Sequence, residues 1–99
     1  MTPLTWSPEA LRDIEAIRTY IRQDSERYAD LVVRRLFGAV ERLRLFPESG
    51  RTVPERNDPT IREVIVDPYR VVYRLAADGL QIVTVFRASR LFPTDLRPK

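Results

Sequence analysis

Residues 61–74, IREVIVDPYRVVYR, limit what this chain can fold into more than any other stretch. Ile, Val and Tyr dominate it, and such side chains suit a pleated, half-buried surface. The Asp67-Pro68 step divides the run, so two β-strands joined at that step are expected. From Tyr69 onward, alternation places Tyr69, Val71, Tyr73 and Leu75 on one face and Arg70, Val72 and Arg74 on the other. A guanidinium buried without partners is costly. The arginine face is therefore expected to border solvent, a partner chain or an anionic target.

The segments around the hairpin supply the other layer. Ser7-Pro8 reads as a helix start, with Ser at the N-cap and Pro in the first turn. Ala10, Leu11, Ile14, Ile17 and Ile21 then form a helical stripe, which predicts a helix from about Pro8 to Arg22. Asp24 or Ser25 caps the next helix. Ala29, Val32, Val33, Leu36, Val40, Leu43 and Phe46 repeat the spacing up to Pro47, which cannot continue the ladder. Two helices so closely linked form an antiparallel hairpin, and their apolar stripes need a sheet to cover.

Leu4–Trp6 is expected to be a short first strand, with Pro3 suited to its start or to a sheet edge. Residues 47–59 read as a loop. Ala77-Asp78-Gly79 supplies a turn, and residues 80–87, LQIVTVFR, form the last strand. The mixed alternation of that strand fits one covered on both sides. Residues 88–99 read as a tail. The predicted order is β-α-α-β-β-β: a single α+β domain over residues 1–99, with about four antiparallel strands and a helical hairpin on one face.

Composition narrows the chemistry. The sequence has no His and no Cys, which excludes disulfides, an imidazole base and an ordinary zinc site. No phosphate-loop, dinucleotide or nucleophile-elbow motif is present. No cofactor and no metal are expected. There is no membrane-length apolar run and no secretory leader, which fits a cytoplasmic protein. The net charge is +3, and every basic residue except Lys99 is Arg. Arg suits phosphate and carboxylate partners, so a nucleic-acid or acidic-peptide partner is one reading and solvated helix faces are the other. Glu9, Asp13 and Glu15 are read as solvated. The candidate binding set is Arg51, Arg62, Tyr69, Arg70, Tyr73, Arg74, Arg87 and Arg90, with Glu55 nearby in sequence. Arg62 and Arg74 are also read as balancing Glu63 and Asp67, and Tyr73 as core with its hydroxyl reaching a surface.

Four stretches carry a resemblance: WSPEALRDIEAIRTYI (residues 6–21), LFPESGRTVPE (45–55), IREVIVDPYRVVYRL (61–75) and IVTVFRASR (82–90). In this order and spacing the sequence resembles the RelE/ParE superfamily of bacterial type II toxin–antitoxin toxins. The resemblance implies growth inhibition, a cognate antitoxin partner and a hetero-oligomer with it. It offers two targets: DNA gyrase for ParE-like members, and mRNA on the translating ribosome for RelE-like members. On the RelE-like reading, Arg70 and Arg90 would face phosphate and Glu55 would serve as base. Arg51, Arg62, Tyr69, Arg74 and Arg87 would bind the partner or target. Several positions depart from the nuclease pattern. Ile61 and Glu63 stand where RelE carries lysines, Arg87 stands where many relatives have His, and Ser89-Arg90 stand where a catalytic His or Tyr is found. These departures favour the ParE-like reading. A degenerate module that only binds antitoxin is a third alternative.

Overall fold

The computed structural model describes residues 1–89. Strand β1 (Leu4–Trp6) leads into helices α1 (Pro8–Arg22) and α2 (Glu26–Leu45). Four strands follow: β2 (Arg51–Thr52), β3 (Ile61–Val66), β4 (Tyr69–Ala76) and β5 (Gly79–Arg87). They form one sheet in the order β1-β5-β4-β3-β2. The α+β class and the helical hairpin stand as predicted. Two details of the sheet are corrected. Among the described residues it has five strands, because the loop before the central hairpin contributes β2. It is mixed, because β1 runs parallel to β5, with Leu4, Thr5 and Trp6 opposite Leu80, Gln81 and Ile82.

The helices start where their caps place them. The Ser7 and Ser25 hydroxyls accept hydrogen bonds from the Ala10 and Tyr28 amides, satisfying amides that a helix start leaves without intrahelical partners. The stripes of both helices then pack on one face of the sheet. Ile14, Val32, Leu36, Val40 and Leu43 meet Val71, Tyr73, Ile82 and Val85 in the main core. Leu11 and Phe46, read as part of those stripes, are about half and 61% exposed instead. Phe46 fails because it caps α2 outside helical geometry.

A bulge between Val72 and Tyr73 explains the mixed pattern of β5. Tyr73 faces Ile82 while Val72 faces Thr84, so Val83 is an extra residue. The extra residue lets Leu80, Ile82 and Val85 share the helix-facing side, as an inserted residue in a strand does.

Beyond Trp6, β5 loses β1 as its neighbour, and the start of α1 takes over. The Ser7 amide donates to the Ile82 carbonyl at 2.9 Å, and the Ser7 hydroxyl donates to the Val83 carbonyl at 2.8 Å. Asp13 then accepts from the Val85 amide at 2.9 Å and from the Thr84 hydroxyl at 2.6 Å. Asp13 is thus not merely solvated. It caps a strand edge, and burial raises its carboxyl pKa above the ordinary value.

Candidate functional site

The other face of the sheet carries the charged cluster. In the two-residue turn between β3 and β4, Val66 faces Tyr69, which puts Glu63 opposite Val72 and Ile65 opposite Arg70. Glu63 and Arg70 therefore project on the same side as diagonal neighbours. Strand β2 sets Arg51 opposite Glu63. The chain then turns at Val53, where the Arg56 amide donates to the Val53 carbonyl. Val53 is buried against Ile61, Val72 and Phe86 in a second, smaller core. That packing carries Glu55 over Arg70.

The four charged side chains close on one another. Arg70 Nε donates to Glu63 Oε1 at 2.7 Å. Its Nη1 and Nη2 each donate at 2.9 Å to the two carboxylate oxygens of Glu55. Arg51 Nε donates to Glu63 Oε2 at 2.6 Å. The Arg70 guanidinium also lies 5.2 Å from the centre of the Phe86 ring, within cation–π reach. The Glu63 side chain is fully buried and that of Arg70 nearly so, at 8% exposure. Glu55 and Arg51 form the outer rim, at 44% and 61%. Alternation set solvent, a partner chain or an anionic target as the expected neighbour of Arg70; within the chain itself, the carboxylates of Glu55 and Glu63 stand there. The turn over Val53 covers that face, and two carboxylates meet the need of a buried guanidinium for partners.

The other candidates are placed as follows. Arg62 donates to the carbonyls of Pro59, Glu48 and Gly50. It ties the loop down and does not balance Glu63, which Arg70 and Arg51 neutralise. Arg74 is half-buried in β4, opposite Ile61 and Gln81. Tyr69 is core, with the exposed Arg87 guanidinium 5.9 Å from its ring centre. Tyr73 is also core, but its hydroxyl turns inward. It accepts from the Gly50 amide at 2.9 Å and donates to the Pro47 carbonyl at 2.8 Å. Arg90 lies outside the described residues. The residue that sequence reasoning undervalued is Glu63. Its parity with Arg70 across the two-residue turn was the available signal.

This arrangement has definite acid–base consequences. Hydrogen bonds from Arg70 hold the Glu55 carboxyl below its ordinary value of 4.5, which makes it a weaker base. Because its folded pKa is depressed, Glu55 contributes stability that is present above pH 4.5 and is lost as pH falls through the lower, folded value. Carbon-detected NMR titration should place the Glu55 midpoint below 4.5, with the shifts of residues 53–56 following the same curve. A midpoint at or above 4.5 would show that the pair does not hold in solution. Among the described residues, no group of three or more acidic side chains is placed to hold a metal ion.

This fold and cluster can be set beside known proteins. The family model for the ParE toxin of the type II toxin–antitoxin system parDE matches residues 4–92. The chain belongs to the ParE toxin family. Among relatives of this ParE-family toxin, Toxin RelE2 of Caulobacter vibrioides is 39% identical over 92 residues, covering 92% of this chain and all of the relative. The Sinorhizobium fredii protein Y4kP is 37% identical, covering 94% of this chain and 95% of its own length. A solved structure titled as the chromosomal ParDE TA system from P. aeruginosa superposes with a TM-score of 0.73 over 88% of this chain and 96% of that one. At 23% identity, that likeness concerns the fold. The ParE-family toxin has no helix among its described residues long and apolar enough to cross a membrane.

Proposed function

We propose that this ParE-family toxin inhibits growth in the cytoplasm by binding DNA gyrase, and that a cognate antitoxin neutralises it. The observation that supports the choice of target is the Glu55–Arg70 pair. RNA cleavage needs a base for the 2′-hydroxyl proton and cations held for the phosphate. Here the candidate base is clamped by the candidate phosphate-binding arginine. Each occupies the groups the other would need for cleavage. The absence of His and Cys leaves few other proton-transfer groups near neutral pH. A protein-binding toxin needs only a shaped, charged surface, and Arg51 and Arg87 remain exposed for it.

Purified toxin added to gyrase and supercoiled plasmid should accumulate cleaved DNA–gyrase complexes, while mRNA in a translating extract stays intact. Normal supercoiling at saturating toxin, with fragmented mRNA, would overturn this reading. It would favour the endonuclease reading that the RelE-like resemblance offers, with Arg70 and Arg90 on phosphate and Glu55 as base. Expression without growth arrest would leave an antitoxin-binding module alone.

A further inference from the structure

We propose that the outer edge of the Arg70 guanidinium, with Arg51 beside it, is a binding site for an acidic side chain of the target protein, and that Glu55 is a built-in stand-in which that side chain displaces. The proposal rests on the reading of a protein target and adds to it a place, a ligand chemistry and an autoinhibitory contact. The two carboxylates on Arg70 are not equivalent. Glu63, on β3, is fully buried; it holds Arg70 through Nε at 2.7 Å and also accepts from Arg51. Glu55 is 44% exposed and takes the outer edge, accepting from Nη1 and Nη2. Arg51, Arg70 and Glu63 form a cradle of two guanidiniums and one carboxylate, so one further anion balances it. Within the chain, Glu55 supplies that anion.

The segment that carries Glu55 is built to give it up. Val53 and Ile61 pin the two ends of the loop in the smaller core, whereas no residue from Pro54 to Thr60 is buried. Between those anchors the loop is tied to itself. The Arg56 amide donates to the Val53 carbonyl, the Ile61 amide to the Asp58 carbonyl, and the Thr60 amide and hydroxyl to the Asp58 carboxylate. None of these bonds passes through Glu55, so its side chain can swing off Arg70 while the loop keeps its shape. An ion pair with a half-exposed member gains little over its hydrated parts, so exchanging Glu55 for an equivalent carboxylate costs little. Arg70 itself stays, held by Glu63 and set against the Phe86 ring. What remains is a fixed fork with Arg51 at its rim, 61% exposed. Such a fork matches the two oxygens of a carboxylate. The Glu63 charge directly behind the guanidinium disfavours a more highly charged ligand, such as a phosphate dianion.

Two measurements on the full chain test this. The first uses acetate at constant ionic strength as probe, read by the NMR signals of the Arg70 guanidinium. E55Q, which leaves the Arg70–Glu63 pair in place, should respond at acetate concentrations about tenfold below those that wild type needs, a factor that corresponds to a fork open about a tenth of the time. E55A should behave like E55Q. E41Q, which neutralises an exposed carboxylate paired with Arg44 on α2, should behave like wild type. No acetate response at Arg70 in either Glu55 variant would overturn the site. A response to inorganic phosphate at lower concentrations than to acetate would overturn the carboxylate assignment. The second measurement is the affinity for gyrase by surface plasmon resonance, where E55Q should bind about tenfold more tightly than wild type. An E55Q affinity at or below that of wild type would make Glu55 part of the contact, not its mask, and would overturn the proposal. If both proteins leave gyrase unbound while acetate still reaches Arg70 in E55Q, the gyrase reading falls and the carboxylate site stands.

Discussion

Replacing Arg70 by alanine should cost the fold about 3–5 kcal/mol, because it leaves a buried carboxylate without its inner partner. Glu63 is fully buried, and its remaining contact would be Arg51, which sits at the rim. Equilibrium urea unfolding measures the loss. Removing both charges with apolar or neutral groups of similar size, as in R70M/E63Q, should recover much of it, since an ion pair lost as a unit leaves no stranded charge. A single-variant loss below about 1 kcal/mol would mean that water reaches Glu63. The practical consequence concerns activity assays. An Arg70→Ala protein that fails to act has two explanations, lost chemistry and lost folding. Glu55→Gln separates them better, because Glu55 is on the rim and its loss leaves the Arg70–Glu63 pair in place.

Tyr73→Ala should be as damaging, at about 3–5 kcal/mol, because the ring is fully buried at the centre of the main core. Tyr73→Phe keeps the ring and isolates the hydroxyl, which joins the Gly50 amide and the Pro47 carbonyl. That variant should lose about 1–3 kcal/mol, the usual cost of stranding buried polar groups. Thermal unfolding of the two variants side by side gives the hydroxyl share. Equal stability of Tyr73→Phe and wild type would show that solvent replaces both bonds. Close approach also fixes Gly50. A Cβ there would come within 2.5 Å of the Tyr73 hydroxyl and 2.7 Å of the Glu63 carbonyl. The loop that delivers Glu55 to Arg70 is thus anchored from beneath by a tyrosine on the opposite face of the sheet.

Local signals carried most of the fold. The Ser7 and Ser25 caps, the two apolar stripes and the Asp67-Pro68 turn each act within a few residues, so both helices and the central hairpin were legible. What escaped depends on distant pairing. Strand β2 is two residues long and exists only because Glu63 and Arg62 lie beside it. The parallel pairing of β1 with β5 joins residues 76 apart, as the Ser7–Val83 bond does, and no local pattern announces its direction. Asp13 resembled its solvated neighbours because the open edge it caps belongs to the far end of the sheet. The cluster was half legible. Alternation put Arg70 on its face, and the resemblance singled out Glu55. Their contact depends on Val53 packing against Val72 and Phe86, which bends the loop over the sheet.

The pairing of β1 with β5 also bears on when this fold can close. Strand β4 has β5 along one whole side, and among the described residues β1 has no other neighbour in the sheet. While a ribosome has yet to deliver residues 79–87, β1 has nothing to pair with and the main core lacks Leu80, Ile82 and Val85. Long-range pairings of this kind pay their loop-closure entropy before contacts repay it. A nascent chain at that stage carries the helices without the surface they help to build. The last of the long strands therefore completes both the sheet and the main core, and a chain without it can close neither.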